Sequence, residues 1–433
     1  MRKVVAFLLI AGIIFSFGSV FAEAKAPDIK SVSAILMHED SGRILYEKDA
    51  DKKMYPASTT KIMTALLAVE NLDPAQELTI SETAIDIDRD GSNMGLLSGE
   101  VLTVEQLLYG LLVHSANDAA NALGEAVSGE LSAFVDAMNV RAAELGMTNT
   151  HFVNAHGYHD EEHYTTARDL LTVSVEAMKH PLIRQVVSTA IYEIPPTNKY
   201  TETRILSNNN CLVNQFRDHR YAYNGAAGVK TGHTSDAGAC LSSYAERGGR
   251  GFFCVTLAAP IEVEGNYSFL DTMALFDYAF GAYSLQTVSN TNDIVTTHDI
   301  KWGRGTDQVI LSAKEPLEIL LPKGYDKAKL TTDSVAEENI VAPVKKGDVL
   351  GRLTYYYDGE FAGSVDLVAT QDIRRSFFKM IFISLLNFVF GPWVMIPLAL
   401  FVVLSLLHSM HEAKKRRIAR EKRREQARRN FYQ

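Results

Sequence analysis

Cysteine is scarce here: three in 433 residues, Cys211, Cys240 and Cys254. So small and odd a number excludes a disulfide-stapled scaffold. None of the three sits in a motif, which argues against thiol catalysis. Strands expected over 240–247 and 251–258, turning at Gly248-Gly249, put Cys254 opposite about Tyr244 and Cys240 beyond disulfide reach. Free, buried thiols are therefore expected. Internal repeats are absent, and the one biased stretch is a basic end. From Glu412 onward ten Lys/Arg face three Glu, so the end carries +7 and the rest −16 of a net −9. An acidic body bearing a basic tail is a membrane pattern before it is a nucleic-acid one.

Long apolar runs are confined to the two ends. Arg2 and Lys3, the run Val4 to Ile14 and the small-residue site Val20-Phe21-Ala22 read as a signal peptide over 1–22. Phe388 to Leu407 is a 20-residue run without a charge, and it predicts a membrane helix over 388–408. Before it, Arg374, Arg375 and Lys379 punctuate Phe377, Phe378, Met380, Ile381 and Phe382, an amphipathic interfacial pattern over 373–387. After it, Lys414-Lys415-Arg416-Arg417 opens a basic tail, 409–433, that stays cytoplasmic and leaves the body outside. Juxtamembrane charge accounts for the tail without nucleic acid.

Between these ends the texture changes once. Ala34 to Tyr46 reads as a strand pair turning at Asp40-Ser41-Gly42. Helical spacing of apolar residues marks Ser58 to Leu72, then Leu102 to Ala126 with a break near His114-Ser115. Leu131 to Leu145 follows, with Phe134, Met138, Val140 and Leu145 as its apolar positions, and Thr166 caps a fourth helix. From about Ala226 strands dominate, followed by a helix from Tyr267 to Phe280. That order predicts one α+β domain, an antiparallel sheet packed with helices, over 23–284. A small all-β domain over 285–372 follows, with a hairpin turn at Asp358-Gly359.

Three short motifs carry chemistry. Ser58 and Lys61 stand three apart, so a helix puts them on one face. A serine needs a base within hydrogen-bond reach, and a lysine serves only where burial or a nearby cation lowers its pKa. Lys230 would be that cation. Ser115-Ala116-Asn117 adds a hydroxyl that can relay a proton and a carboxamide that can hold a peptide bond. Lys230-Thr231-Gly232 reads as an edge strand whose ammonium and hydroxyl bind a carboxylate, with Gly232 admitting substrate backbone. The His233 amide would join the Ser58 amide as an oxyanion hole. Each motif alone is weak; their order makes the signal strong.

Tyr55-Pro56-Ala57-Ser58-Thr59-Thr60-Lys61, His114-Ser115-Ala116-Asn117-Asp118-Ala119, Lys230-Thr231-Gly232-His233-Thr234 and Tyr164-Thr165-Thr166-Ala167-Arg168-Asp169 together resemble the serine-type D-alanyl-D-alanine carboxypeptidases, the low-molecular-weight penicillin-binding proteins. The resemblance implies a transpeptidase/β-lactamase-like catalytic fold that removes the terminal D-alanine from peptidoglycan stem pentapeptides. By position Ser58 is the acyl-ester nucleophile, Lys61 the general base and Ser115 the proton relay. Asn117, Lys230, Thr231, Gly232 and the His233 amide bind substrate, and penicillins acylate Ser58. It also implies a cell-membrane protein, anchored once at its C-terminus, with an extracytoplasmic catalytic domain. One departure stands out. Better-known members carry a carboxylate-binding arginine beyond the third motif, whereas Pro260 to Tyr267 has two glutamates and no arginine.

Rival readings are weaker. His156, His159 and His163 with Asp160, Glu161 and Glu162 suggest a metal loop, yet their spacing matches no metal pattern, so no metal or cofactor is expected. A β-lactamase would need a carboxylate positioned for deacylation, and the 161–162 region does not resemble that loop. An endopeptidase cutting cross-links would use the same acyl chemistry. An inactive wall-binding membrane protein conflicts with three intact motifs.

Overall fold

The computed structural model describes residues 25–88 and 90–431. The expected signal segment lies outside them. The chain forms two compact units. One holds the residues up to Thr287 with Glu318–Thr331 and Tyr356–Gly363; the other holds Val288–Leu317, Thr332–Tyr355 and everything from Ser364 onward.

The first unit is built on a five-stranded antiparallel sheet. Its centre is the strand Arg250–Ala259, flanked by Gly238–Arg247 and Ser33–His38, with Ile44–Lys48 on one edge and Ala226–Thr234 on the other. Alternation sorts the central side chains onto two faces. Ile35, Tyr244, Phe253 and Val255 join one apolar cluster, while Leu36, Leu241, Phe252 and Cys254 join another. Both faces are covered, which is why these strands read as nearly continuous apolar runs. Helix α7 (Tyr267–Ala282) lays Leu275, Phe276 and Ala279 on the second face. On the first lie α1 (Lys61–Asn71), α2 (Val104–Tyr109), α3 (Asn117–Ser128), α4 (Leu131–Glu144), α5 (Ala167–Met178) and α6 (Pro181–Val187).

Local signals explain most boundaries. Thr166 Oγ1 accepts the Asp169 N–H at 3.0 Å and so starts α5 as a cap. Thr103 and Gln106 close a reciprocal capping box at the start of α2. In α4, Phe134 and Met138 are buried as expected, but Val140 is 59 % exposed and faces solvent. The observed register pairs Cys254 with Ser243 and Tyr244 with Phe253, one residue from the expected match. Cys240 and Cys254 fall on opposite faces of the sheet, and all three thiols are free and buried.

The second unit rests on a six-stranded sheet that includes Ile294–Lys301, Gln308–Ala313, Val349–Tyr357 and Glu360–Ala369. Asp358 and Gly359 both take positive φ, 54° and 83°, as the tight turn between the last two strands requires. Two helices close the chain: α8 (Phe377–Val389) and α9 (Pro392–Phe431), the latter 40 residues long.

Candidate active site

Ser58 sits in a single 3-10 turn, Ala57–Thr60, that runs directly into α1. The turn is tense, since Ala57 has φ +47°, a left-handed conformation that a Cβ disfavours. Its surroundings leave no slack. A Cβ on Gly157 would lie 1.9 Å from the Ala57 carbonyl oxygen, and one on Gly232 would lie 3.0 Å from the Ser58 nitrogen. The edge strand carrying Lys230, Thr231 and Gly232 therefore presses its backbone against the Ser58 amide. Only a residue without Cβ permits that approach.

Lys61 is fully buried. Its Nζ donates to Asn117 Oδ1 at 2.7 Å and to the His156 carbonyl at 2.9 Å, and lies 2.9 Å from Ser58 Oγ. A neutral amine has two N–H groups and one lone pair. In that neutral form the acceptor atoms of Asn117 and His156 would take both N–H groups and leave the lone pair to the serine hydroxyl. Electrostatics agree. Burial, then the like charge of Lys230, hold Lys61 well below the usual lysine range, and Asp118 opposes them. Lys230 is buried too, and burial pushes it down to about 7; its Nζ donates to the Thr231 carbonyl at 2.9 Å.

The second motif owes its geometry to the helix break. After α2 the chain makes a π-helical turn, Gly110–His114, and Ser115 then takes φ 69° before α3 begins at Asn117. That left-handed residue turns a buried Ser115 away from the helix path and delivers Asn117 to Lys61. The Asn117 N–H donates to the Ser92 carbonyl at 2.7 Å, which ties the motif to the segment before it.

A cleft of about 390 Å³ opens over these groups. Ser58, Asn117, His233 and Thr234 line it together with Asp90, Gly91, Ser92 and Tyr158. The structure thus brings Ser58, Lys61 and Asn117 together by direct hydrogen bonds and lays Gly232 against Ser58. Lys230 enters through its charge on Lys61. The loop 90–92 was not singled out from the sequence, because nothing local marks it. Gly91 is its sole clue, and its reason lies far along the chain: a Cβ there would come within 2.6 Å of Asn117 Nδ2.

The histidine loop finds a different use. His163 accepts the Val153 N–H at Nδ1 and meets Thr60 Oγ1 at 2.9 Å through Nε2. Burial pushes His163 down to about 4, and burial with the charge of Lys61 pushes His156 to about 3. In the segment without arginine, Ile261–Glu262 and Gly265–Asn266 form a small hairpin, and Glu262 is engaged by Lys30 at 2.5 Å.

Comparison with known proteins points one way. The family model described as D-alanyl-D-alanine carboxypeptidase matches residues 20–260, and that of the penicillin-binding protein 5 C-terminal domain matches 283–375. The chain is 32% identical to D-alanyl-D-alanine carboxypeptidase DacF of Bacillus subtilis, over 91% of this chain and 99% of the relative. Penicillin-binding protein 5 of Haemophilus influenzae superposes with a TM-score of 0.64 at 27% identity, covering 81% of this chain and 99% of that one. A peptidoglycan synthesis regulatory factor (PBP3) of Streptococcus pneumoniae does so at 0.69 and 26%, covering 80% and 100%.

Proposed function

The chain belongs to the D-alanyl-D-alanine carboxypeptidase family, the low-molecular-weight penicillin-binding serine carboxypeptidases, and from that premise we propose that Ser58 carries the reaction through an acyl-enzyme on peptidoglycan stem pentapeptides. Lys61 takes the Ser58 proton as Oγ attacks the carbonyl of the penultimate D-alanine. The oxyanion forms against the Ser58 and His233 amides, fixed donors that need no rearrangement. Ser115 passes the proton to the departing D-alanine nitrogen. Asn117 holds the acyl peptide, and Lys230 and Thr231 hold the terminal carboxylate. Water then hydrolyses the ester, and a penicillin blocks the site by acylating the same oxygen.

One observation carries this reading: the buried Lys61 Nζ lies within hydrogen-bond reach of Ser58 Oγ at 2.9 Å and is held there by acceptors on Asn117 and His156. In the same reading residues 1–22 direct export, 388–408 cross the cytoplasmic membrane once, and 409–433 remain inside. The test incubates the protein and its Ser58→Ala variant with a pentapeptide ending in D-alanyl-D-alanine and weighs the products. Serine-dependent loss of one D-alanine is expected, with a penicillin adduct on Ser58 that the variant lacks. A stable adduct without D-alanine release would move the substrate to cross-links. Neither product nor adduct would end the acyl-serine reading.

A further inference from the structure

Asp118 follows Asn117 and is 2 % exposed, a buried carboxylate behind the cleft-lining Asn117. Its oxygens accept the N–H of Met94 at 3.1 Å, of Leu96 at 3.0 Å and of Ala119 at 2.9 Å. The first two belong to the segment that continues from the cleft-lining Asp90, Gly91 and Ser92. The third is a free amide in the first turn of α3, where a negative charge is favoured. Met94 is itself buried, and a Cβ on Gly110 would lie 2.2 Å from its sulfur, so the segment is seated on the turn that leads to Ser115. Asn117 closes the circuit through its N–H to Ser92 O.

We propose that Asp118 is the positioning residue of this site, one carboxylate that fixes the segment 92–96, which continues from the cleft-lining loop, against Asn117 and sets a negative charge near Lys61. The inference rests on the carboxypeptidase reading above and goes beyond it by adding a group that touches no substrate. Two roles follow from one position. Geometrically, three amide donors leave the carboxylate a single orientation, and Asn117 is held between it and Lys61. Electrostatically, the groups facing Lys61 are Lys230 from the edge strand, His156 from the loop before α5, Ser58 from the turn that leads into α1 and Asp118 from α3. Lys230 disfavours the Lys61 ammonium and Asp118 favours it. Without Asp118, two buried lysines would face each other with no counter-charge from α3.

Lys61 acts as base when neutral, so the rate rises with pH through its ionisation. Removing a negative neighbour lowers that ionisation further, and the acid limb moves to lower pH.

The experiment uses the full chain in detergent and records D-alanine release and penicillin acylation of Ser58 across pH. Asp118→Asn is nearly isosteric and lacks the charge; Asp118→Glu keeps the charge on a longer arm. Asp118→Asn should lower kcat/KM by roughly tenfold or more, as loosened positioning does, and shift the acid limb downward. Asp118→Glu should lower kcat/KM and leave the limb in place. Wild-type kcat/KM in Asp118→Asn overturns the proposal. So does a lowered rate with an unmoved limb, or an equal shift in both variants. A wild-type chain that neither releases D-alanine nor takes the label sinks the parent reading and this one with it, whereas an active chain with unmoved limbs sinks this one alone.

Discussion

His163 is a strut that works only when neutral. Its Nδ1 accepts the Val153 N–H, so the ring proton sits on Nε2 and is given to Thr60 Oγ1, which in turn donates to the Ala57 carbonyl at 2.9 Å. That chain of bonds ends on the residue whose backbone is strained, one position before Ser58. Protonating Nδ1 would turn an acceptor into a second donor facing an N–H. Burial holds the folded ring at about 4 against 6.5 unfolded. Between those values the unfolded chain binds more protons, so stability from this group is whole above 6.5, falls as pH drops toward 4 and is flat below. His156, at about 3, acts with the same sign and carries the decline lower. Urea unfolding from pH 7 to 4 should show that decline, and a His163→Gln variant should show a shallower one. An equal slope in both would remove His163 from the account. That Ser58, Lys61 and Asn117 meet was legible in the sequence because each motif is local. Gly157 and Thr60 were illegible because their reasons lie at Ala57 and His163, the second 103 positions from Thr60.

Among the elements, the segment that Asp118 holds is also held by an ion pair. Glu100 is fully buried and meets Arg204 at 3.2 Å; its carboxylate also accepts the Leu97 N–H at 3.0 Å and Thr197 Oγ1 at 2.7 Å. Arg204 also donates to the Gly95 carbonyl at 3.2 Å and stacks over Tyr200 at 4.4 Å. The strands Ile191–Ile194 and Arg204–Ser207 thereby pin the segment that Asp118 holds from within. Arg204→Met would strand a buried carboxylate, and the expected cost is about 3–5 kcal/mol of stability. Replacing both partners, with Glu100→Leu added, should recover part of that loss, because no buried charge is then unpaired, although the Leu97 N–H, the Thr197 hydroxyl and the Gly95 carbonyl each lose a partner. Denaturant melts of the two variants decide it, and a double variant as unstable as the single one would show that packing, not charge, is at stake. The helix break at His114-Ser115 could be read from the sequence because the apolar period stops there. The Glu100–Arg204 clamp could not, since periodicity says nothing about two polar residues 104 apart.

Over the whole molecule, the question is what the last two helices are for. In α8, Phe377, Phe378, Ile381 and Phe382 are all exposed, and in α9 so are Trp393, Leu398, Phe401, Leu404 and Leu407. The candidate span within Phe377–Arg428 has a mean hydropathy of 2.2 and no residue buried against the protein. So much bare apolar surface is untenable in water and natural in lipid, where about 20 helical residues cross the hydrocarbon core. The cationic run from Lys414 then lies past the apolar stretch, where an anionic leaflet favours it. Where the body ahead of these helices ends is set by hydrogen bonds. Ile373 bridges to Val344, Arg375 bridges to Gly303, and the Ser376 N–H donates to the Trp302 carbonyl at 2.7 Å. A chain ending at Ser376 keeps these bonds and loses every residue of α8 and α9. It should leave the membrane fraction without detergent and retain the full-length kcat/KM on a free pentapeptide, whereas a chain ending at Ala369 should also be soluble but melt lower. Sedimentation of both with lipid vesicles is the measurement. Continued binding of the Ser376 chain would place the membrane affinity in the body, and the two helices would need another purpose.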